Sequence, residues 1–483
     1  MNKAPALLWF RQDLRLEDNP ALTAALAASD QVIPLYILDD ESLGERRMGG
    51  AQRWWLHHSL AALDEALQAA GSRLILRRGR AGTILREVVE AQGVEAAFWN
   101  RCYDPETIAR DKDIKRDLVA AGLTVESFNG LLLAEPWETK TKDGGFFKVY
   151  SPFWRALQSH YRHASTLPAP TALPAVDGIA SDRLESWDLL PRNPDWAEAF
   201  GETWSPGADG AKVRLRCFLE QGLKGYKSQR DRPDRDSTSR LSPHLRFGEI
   251  SPRQIWQSVE EALAGGDAGQ ADADKFLAEV GWREFAYHLL YHVEGLADRP
   301  LRPEFEAFPW QDDDTAFIAW AEGQTGYPIV DAGMRQLWRS GWMHNRVRMI
   351  VASFLVKDLL IPWQRGERWF WDTLVDADPA NNTASWQWVA GCGADAAPYF
   401  RVFNPILQGE RFDPGGAYVR RWVPELSALP DKLIHKPWEA PAPVLREAGV
   451  VLGESYPERL VDHGAARQRA LAAFADIKKE KAA

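Results

Sequence analysis

Five short apolar runs near the start of the chain, separated by helical patterns, constrain its fold most strongly. The runs are ALLWF (6–10), VIPLYI (32–37), RLIL (73–76), AAFWN (96–100) and TVESF (124–128). Ala-, Leu- and Glu-rich segments with helical spacing lie between them, at 51–70, 82–92 and 106–121. Runs that are short and apolar on both faces are typical of buried strands. The alternation therefore predicts an α/β, Rossmann-like domain built on a doubly wound parallel sheet.

Ligands of such sheets usually bind at the carboxyl ends of the strands. The first strand is followed by RQDLRLEDNP (11–20) and not by the glycine fingerprint G-x-G-x-x-G. We therefore expect no nicotinamide or flavin dinucleotide in the standard Rossmann position.

The rest of the chain changes character twice. From about 131 to 205 it becomes rich in Pro, Ser and Asp, which is typical of a connector, although a short helix is expected near 151–161. Beyond 206 nearly every segment has helical spacing. We predict an α/β domain at 1–130, an interdomain connector at 131–205 and an all-helical domain at 206–483.

Charge is distributed unevenly along the chain. The 483 residues carry a net charge of −10, which disfavours nucleic-acid binding by the protein as a whole. The window 333–370, however, holds seven Lys or Arg residues against two acidic ones. Two interpretations stay open, a surface that contacts phosphates and a solvated helical face.

Cysteine and histidine usage excludes several classes of site. The three cysteines are far apart, so neither a disulfide framework nor a four-cysteine iron–sulfur cluster is expected. His57-His58 and the pair His288 and His292 lack acidic or thiol partners at metal spacing, and we predict no metal site. No leader and no long apolar span is recognisable, so we expect a cytoplasmic protein.

The stretch 376–405, DADPANNTASWQWVAGCGADAAPYFRVFNP, fits no amphipathic template and suggests a functional site. Upstream, residues 325–363 place arginines on a Trp-rich helical background. Together the two stretches resemble the FAD-binding region of the photolyase and cryptochrome family. The resemblance runs from WFRQDLRLEDNPAL (9–22) to about residue 470. It implies an N-terminal antenna-chromophore domain and a helical catalytic domain that binds FAD.

Small hydroxyl residues at 238–243, TSRLSP, stand where a helix should begin. They could form an ordinary Ser/Thr N-cap or a cradle for an anion. The resemblance implies that this segment binds the FAD diphosphate and that the flavin is bound by further polar residues. The implied cofactor residues are Tyr226, Thr238, Ser239, Leu241, Ser242, Arg283, Asn345, Asp376, Asp378 and Asn382.

Asn382 matches the position beside flavin N5, where photolyases have Asn, plant cryptochromes Asp and many insect cryptochromes Cys. An uncharged amide there stabilises a particular redox and protonation state of the flavin. Asn382 therefore favours a DNA repair enzyme over a cryptochrome.

Tryptophan is abundant, with 22 in the chain, and any single one is typical of core packing. The resemblance implies that Trp386, Trp363 and Trp310 form an electron relay that photoreduces the flavin. Branches through other tryptophans, for example Trp342, stay open.

The resemblance also implies residues that hold a damaged dinucleotide after it is flipped from the duplex. These are Arg230, Glu279, Trp282, Asn345, Arg346, Met349, Trp388 and Arg401. Glu279 precedes Trp282 by three residues, so both can lie on one helix face. His344 stands alone in MHNRVRM, without the histidine pair of (6-4) photolyases, which points to cyclobutane pyrimidine dimers.

The segments 49–67, 420–426 and 434–441 are most similar to class III dimer photolyases, which use 5,10-methenyltetrahydrofolate as antenna. At the class I folate contacts this chain has Glu106, Thr107 and 296–298 (LAD), which differ, so another pocket is expected. Trp54 and Trp55 could stack on a pterin or pack a helix on the sheet. Deazaflavin is the alternative antenna.

We predict a light-driven lyase that splits cyclobutane pyrimidine dimers and acts on UV-damaged DNA as a monomer. A cryptochrome-type blue-light photoreceptor is the alternative. It would usually carry a long C-terminal extension and a damaged lesion pocket, neither of which is recognisable here. An FAD oxidoreductase with a soluble substrate is disfavoured because no hydride-acceptor motif is present.

Overall fold

The computed structural model describes residues 4–161, 165–396 and 400–482. The fold groups the chain into two compact units. The first unit comprises Met1–Lys224, Ser239–Glu294 and Val375–Asp378, and the second comprises Gly225–Thr238, Gly295–Leu374 and Pro379–Ala483. The domain segments 1–130, 131–205 and 206–483 follow from sequence pattern and stay a prediction.

A parallel sheet forms the centre of the first unit. Its strands are β1 (Ala6–Phe10), β2 (Val32–Leu38), β3 (Ile75–Arg78), β4 (Ala96–Asn100) and β5 (Thr124–Phe128). Their order is β3-β2-β1-β4-β5, and every neighbouring pair is parallel. β1 and β2 are buried along their whole length, as the apolar runs predict. The predicted α/β fold class is confirmed, with β3 starting two residues later than the apolar run.

Helices account for most of the remaining structure. In chain order they are α1 (Pro20–Ala28), α2 (Gly50–Ala69), α3 (Ala81–Gln92), α4 (Pro105–Ala120), α5 (Tyr150–His160), α6 (Phe200–Thr203), α7 (Ala208–Gln221), α8 (Tyr226–Gln229), α9 (Ser242–Arg246), α10 (Pro252–Gly265), α11 (Gln270–His292), α12 (Asp314–Ala321), α13 (Pro328–Ser340), α14 (Asn345–Ser353), α15 (Trp363–Thr373), α16 (Pro379–Ala390), α17 (Pro405–Phe412), α18 (Ala417–Trp422), α19 (Ala442–Ala448) and α20 (His463–Ala482). A π-helical turn, Phe354–Asp358, follows α14 directly. The short helix predicted near 151–161 is α5.

Local capping explains where the first helices begin. The Asn19 side chain accepts from the Leu22 N–H at the start of α1, and the Asp104 side chain accepts from the Thr107 N–H at the start of α4. A proline follows each cap at the first helical position, where its missing N–H costs nothing.

The loop after β1 is clamped to the loop after α9. Arg15, which is almost fully buried, donates to the backbone oxygens of Gly248, Asp18 and Gly130 at 2.7–2.8 Å. Gly248 has φ +65°, and a Cβ there would lie 1.9 Å from the Gln12 oxygen, so only glycine fits. This clamp fixes the segment that contains Ser239, Leu241 and Ser242 within the first unit.

In the second unit, α16 packs closely on α15. A Cβ at Gly366 of α15 would lie 2.2 Å from the Trp386 ring of α16, so the glycine permits this contact. Across the described ranges, no helix combines the length and the apolar character needed to cross a membrane.

Candidate functional site

The segment before α9 has no Ser/Thr N-cap. The residue that precedes the helix is Leu241, and no side chain caps the first turn, so the N-cap interpretation of TSRLSP was wrong. The Ser239 hydroxyl instead accepts from the Leu241 N–H at 3.4 Å. Arg214 Nε donates to the backbone oxygen of Ser239 at 2.8 Å. Ser242 is exposed and Ser239 half-buried, so both hydroxyls are accessible to a ligand. Arg240 between them has φ +49°, in the left-handed region.

Two buried carboxylates lie on the segment Val375–Asp378 of the same unit. Asp376 is 7% and Asp378 5% exposed. The Tyr287 hydroxyl of α11 donates to Asp378 Oδ2 at 2.5 Å, and Arg246 donates to the Ala377 oxygen at 2.7 Å. Burial, together with the Asp378 charge, raises the pKa of Tyr287 well above its ordinary value, so the phenol stays a donor. The sequence motif names Asp378 but gives no signal for Tyr287, because the contact joins distant segments.

Arg283 of α11 adds a buried cation to this unit. It is 7% exposed and donates through Nη1 to the Leu131 oxygen at 2.9 Å. Its guanidinium lies 4.9 Å from the Tyr287 ring centroid. Its Nη2 is buried and has no hydrogen-bond acceptor within the described part of the chain. A buried donor without an acceptor costs free energy unless a ligand supplies one. The donor and the two carboxylates fit a polar ligand with both acceptor and donor atoms, as FAD has.

The buried neighbour of Arg283, Glu284, accepts from the Leu133 N–H at 2.8 Å. Burial raises the pKa of Glu284 to about 7. This carboxyl group thus fixes the 131–135 segment beside α11.

Glu279 and Trp282 both lie on α11, as predicted. The Trp282 ring stacks on Tyr150 of α5, with centroids 3.8 Å apart and planes 9° apart. The Tyr150 hydroxyl donates to the Ala278 oxygen at 2.6 Å, which holds the stack in place. Lys275 pairs with Glu279 at 2.7 Å. Sequence reasoning missed Tyr150.

In the second unit, Asn382 lies on α16, and two hydrogen bonds to Glu367 fix the orientation of its side-chain amide. Its Nδ2 donates to the Glu367 backbone oxygen at 3.0 Å and to Glu367 Oε1 at 2.9 Å. Asn382 is 8% exposed and Glu367 1% exposed. Because both amide hydrogens are used, the carbonyl oxygen is the end that can accept from a ligand. Glu367, like Tyr287 and Tyr150, is a residue that sequence reasoning missed.

The three relay tryptophans differ in burial. Trp386 on α16 and Trp363 on α15 are 2% and 1% exposed, and Trp310 is half-buried in a loop, with its ring 4.4 Å from Phe308. The rings of Phe370 and Trp320 lie 5.0 and 6.3 Å from Trp386. Trp320 is therefore a further indole beside the predicted relay. Trp342, the branch considered from sequence, is 7% exposed and lies near Arg348.

Helix α14 presents three predicted substrate residues. Asn345 and Met349 lie one turn apart, with Nδ2 and Sδ separated by 4.0 Å. His344 caps the helix, because its Nδ1 accepts from the Arg346 N–H at 3.2 Å. Burial lowers the pKa of His344 to about 4, so the ring is neutral near pH 7 and can accept. Arg346 pairs with Asp231 at 3.0 Å.

The other substrate and cofactor residues of the second unit occupy two places. Tyr226 is buried at the start of α8. Arg230 follows this helix, and its guanidinium lies 5.9 Å from the centroid of the Tyr226 ring. Thr238 is half-buried. Trp388 and Arg401 line one small cavity together with Val389, Gly391, Asp395, Ala396 and Phe403. The structure thus brings Trp388 and Arg401 together. Residues 397–399 of the motif stretch lie outside the described residues.

Trp54 and Trp55 are both buried, against side chains that lie outside the strands of the sheet. Trp55 is fully buried and donates to Glu249 Oε1 at 2.9 Å. Trp54 is 7% exposed and packs edge-on against Phe200 and His58 at 5.3 and 4.5 Å. Stacking of a pterin on these rings is therefore not supported. In residues 4–161, 165–396 and 400–482 no group of three acidic, Cys or His side chains is arranged to hold a metal ion.

Comparison with known proteins places these residues in context. A profile described as "DNA photolyase" matches residues 6–175, and one described as "FAD binding domain of DNA photolyase" matches residues 276–476. The deoxyribodipyrimidine photo-lyase of Agrobacterium fabrum is 54% identical over 480 residues, 99% of both chains. Cryptochrome-1 of Arabidopsis thaliana is 40% identical over 473 residues, 96% of this chain and 69% of the relative. The crystal structure of a class III photolyase from Agrobacterium tumefaciens superposes with a TM-score of 0.96 at 53% identity, covering 99% and 98% of the two chains.

Proposed function

The chain belongs to the DNA photolyase family, and we propose that it is a deoxyribodipyrimidine photo-lyase that splits cyclobutane pyrimidine dimers in UV-damaged DNA. Full-length identity of 54% with a photo-lyase carries this conclusion, because the cryptochrome relative is more distant at 40%. The reading as a cryptochrome-type photoreceptor is therefore the weaker one.

FAD is bound by ten residues in this proposal. They are Tyr226, Thr238, Ser239, Leu241, Ser242, Arg283, Asn345, Asp376, Asp378 and Asn382. When bound and reduced, FAD supplies on illumination the electron that splits the dimer. The buried Arg283 Nη2 and the two buried aspartates support this proposal, because they offer a donor and acceptors to a polar ligand.

Two residues orient this set. The Tyr287 hydroxyl donates to one oxygen of Asp378 and fixes the orientation of this carboxylate. Glu367 holds both hydrogens of the Asn382 amide, so the amide oxygen faces a ligand N–H such as that at flavin N5. Both oriented groups are buried, so water does not compete for these hydrogen bonds.

Trp386, Trp363 and Trp310 carry electrons inward to the cofactor in this account. The first two are buried and the third is half-buried, so the series ends where an external reductant can reach it. Trp386 Nε1 is buried without an acceptor in the described structure.

The substrate residues provide what a flipped base pair requires. Trp282 and Trp388 offer aromatic faces, Met349 an apolar contact, and Asn345 and Glu279 hydrogen-bonding groups. Arg230, Arg346 and Arg401 supply guanidinium groups for the flanking phosphates. The firm stack of Trp282 on Tyr150 supports a stacking role, because a braced ring loses little freedom when a base packs against it.

For the second chromophore we propose 5,10-methenyltetrahydrofolate, on the similarity of segments 49–67, 420–426 and 434–441 to the class III branch. We propose a pocket away from Trp54 and Trp55, because both rings are already packed against neighbouring side chains. To test this assignment, the protein is heat-denatured and the released chromophores are identified by absorption and mass spectrometry. A deazaflavin mass in place of a folate mass would reject the folate.

The proposed function is tested with one thymine cyclobutane dimer in an oligonucleotide. Reduced protein is mixed with it, illuminated with blue light and followed by chromatography beside a dark control. Light-dependent loss of the dimer is expected. No loss in a protein that holds FAD, with loss of a (6-4) lesion instead, would correct the substrate. No loss of either lesion would favour the photoreceptor.

A further inference from the structure

Arg346, one of the proposed phosphate contacts, is held by a carboxylate of its own chain. We propose that Asp231 is an internal counter-ion of Arg346 which occupies the guanidinium in the free protein and is exchanged for a DNA phosphate on binding. This inference rests on the proposed function, because it assigns a role to Asp231 in the binding of damaged DNA.

The pair is built so that such an exchange is possible. Arg346 Nη2 and Asp231 Oδ2 are 3.0 Å apart, and their side chains are 18% and 32% exposed. The Arg346 guanidinium also lies 4.5 Å above the Phe412 ring of α17, which supports its plane from one side. Both charges thus reach solvent, and a phosphate can approach the guanidinium without unfolding the helix that carries it. A fully buried pair would not allow this.

The segment around Asp231 carries basic and acidic side chains in nearly equal number. Residues 227–236, KSQRDRPDRD, hold four basic and three acidic side chains. Arg232 and Asp234 in this segment form a two-point ion pair at 2.8 and 2.6 Å. His344, which lies two residues before Arg346, is buried and neutral near pH 7, so it adds no positive charge beside this ion pair. Within this segment Arg232 is thus already paired with a carboxylate before DNA arrives.

An internal counter-ion has a measurable thermodynamic signature. A free arginine that binds a phosphate releases a condensed cation from DNA and contributes about 0.9 to the slope of log affinity against log salt. If Arg346 must leave Asp231 to do so, the ion pair with Asp231 is broken, and the free energy of breaking it falls as salt screens the pair. The salt dependence of this contact is then partly cancelled. A carboxylate that merely braces Arg346 in both states would not produce this cancellation.

The test compares Asp231→Asn with wild type in the dark, with a fluorescent duplex that carries one thymine dimer, at several salt concentrations. We expect binding at low salt to tighten about twofold to fivefold, in the range of a partly exposed ion pair, and the salt slope to become steeper by less than the roughly 0.9 of a complete phosphate contact. Asp431→Asn is the matched control, because it removes one acidic charge from another surface ion pair of the second unit, with Arg420 at 2.8 Å. We expect its slope to equal that of wild type.

A second variant separates exchange from folding defects. In Arg346→Gln the cation itself is absent, so adding Asp231→Asn to it should no longer steepen the slope, and retained FAD absorbance shows that each variant is folded. An unchanged slope in Asp231→Asn, or weaker binding, would overturn the inference while leaving the function intact. A wild-type protein that does not prefer the damaged duplex would overturn the proposed function and this inference with it.

Discussion

Asn382 shows how one buried contact decides what a side chain offers to a ligand. The asparagine is recognisable from the motif, but its orientation depends on Glu367, which lies 15 residues earlier on the neighbouring helix. In sequence Glu367 is an ordinary polar residue of an amphipathic segment, and nothing marks it as the partner of Asn382. The same holds for Tyr287 beside Asp378, because hydrogen bonds between distant segments arise from packing and not from local pattern.

Asn382→Asp should fold and retain FAD but change how flavin reduction depends on pH. The new carboxylate would lie within hydrogen-bond distance of Glu367, and repulsion between the two raises the pKa of one of them. Flavin spectra recorded through a full photoreduction cycle at several pH values measure the effect. The matched control is Asn381→Asp, which adds the same charge at the neighbouring position of the same helix. Spectra of the Asn382 variant that equal those of wild type at every pH would count against the N5 assignment.

Trp386→Phe should slow photoreduction of oxidised protein at least tenfold, because phenylalanine is much harder to oxidise than indole. Repair by chemically pre-reduced protein should stay within twofold of wild type. The two rates are measured by flavin absorbance and by dimer chromatography. Trp256→Phe, a buried tryptophan of α10 outside the relay, serves as control. Loss of both activities together would reject the relay role.

At the scale of elements, helix starts illustrate what local sequence can and cannot indicate. Asn19 and Asp104 followed by proline are caps that the sequence displays directly. Ser239 and Ser242 look like caps but are not, because Arg240 takes a left-handed conformation and the chain enters α9 through Leu241. The segment NRVRMIVASFLVKDLL has a continuous helical pattern, yet α14 ends at Ser353 and a π-helical turn follows. A hydrophobic pattern does not distinguish these two backbones.

His344→Asn should make the stability of the protein less sensitive to acid. In the folded state the pKa of His344 is about 4, below its ordinary value of 6.5, so the neutral ring stabilises the fold above pH 6.5 and this is lost as pH falls towards 4. At pH 5 the loss is about 2 kcal/mol. Asparagine keeps an acceptor at the N-cap of α14 but does not titrate.

The measurement is the change in thermal midpoint between pH 7 and pH 5 in the variant and in wild type. His288, whose pKa burial also lowers to about 4, is present in both proteins and cancels in the comparison. An equal loss in the two proteins would show that His344 does not titrate in this range.

For the whole molecule, the fold class follows from local patterns and the site does not. The strands of the sheet are short and apolar on both faces, and segments with helical spacing separate them, so both properties can be recognised from the local sequence pattern. Although the net charge is −10, residues 333–370 are basic. Arginines of this segment pair with acidic residues elsewhere in the chain, such as Arg335 with Glu425 at 2.6 Å. Which charges remain for DNA is therefore a property of tertiary structure. The resemblance supplied the site residues, and the structure supplied their partners.

The most direct test of the central claim is a single-turnover repair experiment. Reduced protein is mixed with an equimolar single-dimer duplex, given a brief blue-light exposure, and assayed in the same sample for dimer content and for the flavin spectrum. We expect dimer to be lost while the flavin returns to its reduced spectrum, because the electron that splits the ring comes back. Dimer loss matched by stoichiometric oxidation of the flavin, or equal loss in the dark, would contradict a light-driven lyase.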